Sequence, residues 1–311
     1  MHNTRRQLLT LAAAAALSGP ALAAAPKLPA AKSIRLFGAT IRYYELGVAG
    51  TKPTLVLLHG LGSSAAGDWG QVMPALAKTH HVLALDQLGF GQSDKPFIQY
   101  GIQTWVDFLG EFLREKKVAD GGFQLMGESL GGWIAAQYTL QALRGDAVGE
   151  SFKLPRPSRL VLCDAAGYRE AMAAHFEKPA EASRRGAGPS LAGEKSLLAS
   201  IFRAPSFNTE ASIRNGLGWS ISKGDSHTIA SVYSNPAILN ESIDGQLDAI
   251  KIPTLVVWGQ HDTLLPLHLG ERFAREIPGA RLVVVPDSGH APMIETPSAF
   301  LAALGDFLSQ P

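Results

Sequence analysis

Six short runs of apolar residues recur along the chain, each closed by glycine, proline or a charged residue: Thr54–Leu58, His81–Leu85, Phe123–Met126, Arg159–Cys163, Thr254–Trp258 and Arg281–Val285. Runs of this length without polar alternation suit strands covered on both faces, as in a parallel sheet. Ahead of them, Ser33 to Leu46 alternates apolar and polar around Gly38, which predicts a β-hairpin. Helical periodicity falls between the runs, at 69–78, 102–118, from Trp133 onward, at 267–277 and at 297–308. In 102–118 the residues Trp105, Phe108, Leu109, Phe112 and Leu113 form one apolar face. Eight strands alternating with helices predict an α/β fold, a mainly parallel eight-stranded sheet with helices on both faces.

One region breaks this rhythm. Between Gly167 and Ile250 no strand pattern occurs, and the stretch is too long for a bare connection. Helical segments are expected at 170–176, 195–202, 212–221 and 226–233, with a mobile loop near 184–193. The expected organisation is a core of 33–167 and 250–311, interrupted by a helical lid at 168–249. Its Phe202, Phe207, Leu217 and Trp219 suggest an apolar acyl or aryl pocket beneath it.

Composition narrows the classes. Of 311 residues, 46% are hydrophobic and 18% charged, which fits a folded domain with a sizeable core. The formal net charge of +1 gives no basis for a nucleic-acid partner. A single cysteine, Cys163, excludes an intramolecular disulfide, and its apolar surroundings suggest a buried thiol. No metal-ligand spacing and no strand-linked G-x-G-x-x-G appear, so no cofactor is expected.

Residues 1–25 read as a cleavable export signal. Arg5 and Arg6 precede a short apolar run, and Ala21-Leu22-Ala23 supplies a cleavage site. Thr4-Arg5-Arg6-Gln7-Leu8-Leu9 resembles a bacterial twin-arginine signal, which implies a periplasmic or secreted protein. Cleavage removes two cations and no acid, so the +1 becomes −1, and no stable membrane insertion is expected afterwards.

The candidate chemistry centres on Gly127-Glu128-Ser129-Leu130-Gly131, a G-x-S-x-G pattern between a strand and a helix. In that context the serine occupies a strained turn that lifts its hydroxyl above the sheet edge. A serine hydroxyl needs a base, and the base needs an orienting acid. His290, in Pro286-Asp287-Ser288-Gly289-His290, follows the last strand and is the candidate base. Asp262, in Gly259-Gln260-His261-Asp262, follows the strand before it and is the candidate acid. Asp164, one strand earlier, is held in reserve. Asp287 is expected to cap its own turn. The backbone N–H groups of Leu61 and Leu130 are the candidate oxyanion donors, and His59 is expected to be structural.

Together the motifs HGLG, DQLGFGQSD, GESLGG, GQHD and DSGHAP resemble those of the α/β-hydrolase superfamily across nearly all of the mature chain. The resemblance implies a Ser–His–Asp triad acting without a cofactor, and a cap where 168–249 lies. Haloalkane dehalogenases and epoxide hydrolases of this fold carry an aspartate nucleophile, unlike Ser129. Carbon–carbon bond hydrolases usually have Asn before the serine and Trp after the histidine, where this chain has Glu128 and Ala291. Proline iminopeptidases favour Trp where Leu130 stands. The leading expectation is a serine esterase, carboxylesterase- or lipase-like, acting on a small-molecule ester. Cleavage of a carbon–carbon bond in ring-cleavage products by the same residues is the alternative, and a non-catalytic small-molecule binding protein the third.

Overall fold

The computed structural model describes residues 26–50, 53–120, 122–146, 148–149, 152–172 and 189–309. The proposed signal at 1–25 and residues 173–188, which hold parts of the expected 170–176 helix and 184–193 loop, lie outside them.

Eight strands form one sheet in the order β1-β2-β4-β3-β5-β6-β7-β8. They are β1 (Lys32–Leu36), β2 (Ala39–Leu46), β3 (Thr54–Leu58), β4 (His81–Leu85), β5 (Phe123–Glu128), β6 (Arg159–Cys163), β7 (Thr254–Gly259) and β8 (Arg281–Val285). β1 and β2 are an antiparallel hairpin, β2 meets β4 antiparallel, and every other pairing is parallel. The hairpin turns on Phe37 and Gly38, both at positive φ (49° and 85°), the backbone that a two-residue turn between twisted strands requires.

The apolar runs are continuous because both faces of the sheet are covered. Val56, Leu58, Leu83, Leu125, Leu160 and Val256 face a core built on α3 (Ile102–Glu115), α4 (Leu130–Arg144) and α8 (Leu267–Glu276). Their chain neighbours Leu55, Leu57, Val82, Met126, Val161 and Val257 face a second core. That core contains α1 (Ala65–Trp69), α2 (Met73–Leu76), α9 (Pro292–Glu295) and α10 (Pro297–Leu304). One strand thus feeds two cores by period-two alternation.

Some boundaries differ from expectation. The single helix expected at 69–78 is two short ones, because Gly70 closes α1 and Pro74 sits in the first turn of α2. The last helix stops at Leu304, where Gly305 takes φ 50°.

The insertion between β6 and β7 is helical among the described residues: α5 (Leu191–Ile201), α6 (Glu210–Lys223), α7 (Ser226–Ser234) and short 3-10 turns. The hydroxyls of Ser190 and Thr209 cap α5 and α6 by accepting N–H groups of the first turn. Phe202 and Phe207 of the insertion pack together. They stack 4.5 Å apart and are buried in the second core, anchoring the insertion to the sheet. Among the described residues no helix is long and apolar enough to cross a membrane.

Candidate active site

Ser129 joins β5 to α4 at φ 51° and ψ −115°, a conformation that side-chain-bearing residues rarely adopt. The turn is held by its own backbone: Ser129 N–H donates to the Cys163 carbonyl (3.0 Å), and its carbonyl accepts from Trp133 (3.1 Å) and Ala166 (3.0 Å). It closes only around glycine. A Cβ on Gly127 would collide with the Gly131 carbonyl, and one on Gly131 with the Leu58 carbonyl. Leu130 opens α4, so its N–H is an unpaired donor at a helix N-terminus.

The loop after β3 faces this elbow. A Cβ built on Gly60 would lie 3.2 Å from the Ser129 Cβ and would strike the Glu128 carboxyl. Asp68 on α1 shapes the loop, accepting from the Gly60 N–H (2.8 Å) and from the Ser63 hydroxyl. His59 is structural, as expected: its Nδ1 lies 2.8 Å from the Gly60 carbonyl and its Nε2 accepts from the Gln87 N–H (3.0 Å). Among the described residues neither Leu61 nor Leu130 N–H donates to a protein acceptor, so both remain available to a ligand.

His290 and Asp262 meet in the loops after β8 and β7. Both are buried, and His290 Nδ1 lies 2.7 Å from Asp262 Oδ2. Asp262 Oδ1 accepts the N–H groups of Leu264 and Leu265, each at 2.8 Å, which fixes the carboxylate. The insertion reaches this loop: the His290 N–H donates to the Ile201 carbonyl (2.7 Å) at the end of α5. Glu295 ties the two further, accepting from Gly289 N–H (2.7 Å) and Ala204 N–H (2.5 Å). Asp287 does not cap its own turn; it is exposed and pairs with Arg203 of the insertion. His261 is exposed, its N–H bound to the Ser288 carbonyl.

Two further carboxyls join this cluster: Glu128, which the motif did not single out as a working group, and Asp164, the acid held in reserve. Glu128, next to the serine, is buried with Oε1 3.3 Å from His290 Nε2. Burial, then the neighbouring carboxyls of Asp68 and Asp164, a hydrogen bond with Asp68 and the Asp262 charge hold its carboxyl well above the usual carboxylate range. Its proton is therefore held more tightly than that of a free carboxyl. Asp164, at the end of β6, is fully buried at φ 41°. Burial, then the Asp262 charge, raises it strongly against the opposing Gly259 N–H bond. Asp68 carries no motif signal, being an acid in the first turn of a short helix. Asp164, Asp262 and His290 also have the mutual spacing of metal ligands, within 4.8 Å. The 2.7 Å contact directs His290 Nδ1 and Asp262 Oδ2 at each other instead. Burial, then the adjoining Asp164 and Glu128 carboxyls, push the buried Cys163 thiol up as well.

A serine on a strained strand–helix turn, with a buried His–Asp contact in the loops after the last two strands, defines the nucleophile-elbow architecture. Residues 55–304 match the model of the alpha/beta hydrolase family, and the chain belongs to that family. It is 31% identical over 267 residues to the 2-hydroxymuconate semialdehyde hydrolase of Pseudomonas sp. (strain CF600), covering 82% of this chain and 87% of that protein. It is 25% identical to a monoacylglycerol lipase of Xenopus laevis, covering 86% and 78%. Among solved structures it is similar to the meta-cleavage product hydrolase of Pseudomonas fluorescens, with a TM-score of 0.74, 26% identity and coverage of 89% and 97%. These relatives break different bonds, and hydrolysis is what they share.

Proposed function

We propose that the chain hydrolyses uncharged carboxylic esters through an acyl-enzyme on Ser129. The observation that carries this reading is the elbow geometry of Ser129 together with the buried His290–Asp262 contact. Ser129 Oγ attacks the ester carbonyl while His290 Nε2 takes its proton. Asp262 holds the imidazole through Nδ1 and balances its charge. The N–H groups of Leu61 and Leu130 receive the oxyanion. His290 then gives the proton to the departing alcohol, and water, deprotonated by the same imidazole, releases the acid.

The electrostatics support a neutral substrate. Carboxyls surround Glu128, and those of Asp68 and Asp262 push its own proton affinity up. An anionic substrate would meet an acidic floor. The helical insertion serves as the lid. Its α7 packs on the oxyanion loop, where a Cβ on Gly62 would lie 3.1 Å from Ile229, and Thr228 donates to the Gly89 carbonyl (3.0 Å). Residues 1–25 serve as a twin-arginine export signal, so the activity belongs in the periplasm or outside the cell.

Carbon–carbon bond hydrolysis is the second reading, supported by the 31% identity to the semialdehyde hydrolase. Turnover of short aryl esters and of a ring-fission dienoate by wild type and Ser129→Ala decides between them. Ester turnover that is faster and lost in the variant supports the first. Dienoate turnover that is far faster replaces it with the second. Full ester turnover by Ser129→Ala refutes acyl-enzyme chemistry on this residue.

A further inference from the structure

The cluster at His290 holds one acid more than a serine–histidine–acid array needs. Asp164 directly follows β6 and Asp262 lies in the loop after the neighbouring parallel strand β7, with Cys163 in register with Val257. The Asp164 N–H donates to the Val257 carbonyl (3.0 Å), and its Oδ1 accepts the Gly259 N–H (2.7 Å). Its Oδ2 is buried with no hydrogen-bond partner. A carboxylate oxygen left bare inside a protein is strongly disfavoured, and two dry, adjacent carboxyls do not both ionise. Asp262 receives two backbone N–H groups and the imidazole, whereas Asp164 receives one N–H. The proton therefore resides on Asp164.

We propose that Asp164 is a positioning residue of the active centre: it holds a proton on Oδ2, donates it to the Asp262 carboxylate, and becomes the ionised partner of His290 when Asp262 is removed. The two acids favoured by two different strand ends then act as one proton-sharing pair, not as alternatives. The groups that face Asp164 are Glu128 from β5, Cys163 on its own strand, Asp262 after β7 and His290 after β8. Burial raises Glu128 and Cys163 as well, and the Asp262 charge is the largest electrostatic influence on Asp164. Loss of that charge lets Asp164 ionise. The inference rests on the hydrolase reading for its kinetic arm alone.

Two measurements test it. The first is kcat/KM for a short aryl ester across pH in wild type, Asp164→Asn, Asp164→Ala, Asp262→Ala and Asp164→Asn/Asp262→Ala. Asparagine keeps a donor towards Asp262 and an acceptor for Gly259, so Asp164→Asn is expected to lose about threefold and Asp164→Ala about thirtyfold. Asp262→Ala should keep a residual rate that rises with pH as Asp164 ionises. The double variant should lose that rise and about tenfold more than Asp262→Ala. Equal rates and equal pH profiles for Asp262→Ala and the double variant would overturn the proposal. The second is the infrared difference spectrum of wild type minus Asp164→Asn at pH 7. A protonated-carboxyl band supports the proposal, and a carboxylate band overturns it. This arm needs no turnover, so it separates failure of the proton assignment from failure of the ester reading.

Discussion

Glu128 Oε1 stands 3.3 Å from His290 Nε2, the ring nitrogen opposite the one that meets Asp262. The imidazole is thus bracketed by carboxyl groups on both sides. Nε2 is the atom that must exchange a proton with Ser129 in the proposed reaction. A neutral acid there can accept a hydrogen bond from the imidazolium as it forms, without competing as a fixed charge. An ionised one would hold the imidazolium and withdraw the base.

Activity should therefore fall on the alkaline side as Glu128 ionises. Glu128→Gln keeps the shape and neutrality and should lack that alkaline limb while losing a few-fold in kcat/KM at pH 7. Glu128→Ala should lose about a hundredfold at every pH. The kcat/KM–pH profiles of the three proteins check this, and an alkaline limb unchanged in Glu128→Gln would contradict it. The same proton has a sign for stability. The folded state holds it more tightly than the unfolded chain, so stability is full below the ordinary carboxyl range. It is lost as pH rises through the raised native value. Glu128→Gln should gain stability over wild type at pH 8 and match it near pH 4, as read by urea unfolding.

Ser129→Ala should cut kcat for the ester by about 10⁴-fold or more, with the fold retained. Alanine keeps a Cβ, so it feels the same strain at φ 51° and gains nothing in stability. Ser129→Gly removes that Cβ and should stabilise the protein by about 1 kcal/mol while being equally inactive. Thermal melts of the two variants beside wild type check the contrast. A melting temperature for Ser129→Gly equal to that of Ser129→Ala would show that the elbow stores no strain.

The sheet was legible in the sequence because both of its faces are buried, which leaves uninterrupted apolar runs at each strand. The strained turn at Ser129 and the meeting of His290 with Asp262 were legible because each residue follows such a run. Glu128, Asp68 and the proton on Asp164 were not. Their properties come from neighbours that are distant in sequence, Glu128 from Asp68 and Asp262, Asp164 from Asp262. Local pattern carries no trace of such pairings. The burial of Phe202 and Phe207 in the second core was not legible either: apolar residues in an insertion look alike whether they line a cavity or anchor the insertion to the core.

Two glycines of the site should fail in different ways. A Cβ on Gly131 meets the backbone carbonyls of Leu58 and His59, which cannot yield without distorting β3. Gly131→Ala should destabilise the fold by about 3 kcal/mol or more. A Cβ on Gly60 meets the end of the Glu128 side chain, which can swing. Gly60→Ala should lose about 1 kcal/mol of stability and tenfold or more in kcat/KM, because the displaced carboxyl moves against His290. Parallel melting curves and ester kinetics check both, and a Gly60→Ala protein as unstable as Gly131→Ala would show that Glu128 is rigidly held.

Away from the site, Glu45 on β2 gathers three partners: Lys32 Nζ at 2.8 Å, His81 Nε2 at 2.8 Å and Lys116 Nζ at 3.0 Å. Burial alone would raise its carboxyl, but the hydrogen bonds from Lys32, His81 and Lys116 outweigh it. They hold it at about 2, below the ordinary 4.5. A depressed acid stabilises the fold above the unfolded value, and the contribution is lost as pH falls through the folded one. The window is therefore about pH 4.5 down to 2. Lys32 lies open to water, so screening trims the effect, and Glu45→Gln should lose about 1 kcal/mol at pH 7. The loss should shrink towards zero near pH 2 and halve in about 1 M salt, as a surface-linked charge cluster must. Urea titrations of both proteins at pH 7 and pH 3, with and without salt, measure it. A Glu45→Gln penalty that is independent of pH and salt would mean that the residue acts through packing of the β1–β2 hairpin and not through its charge.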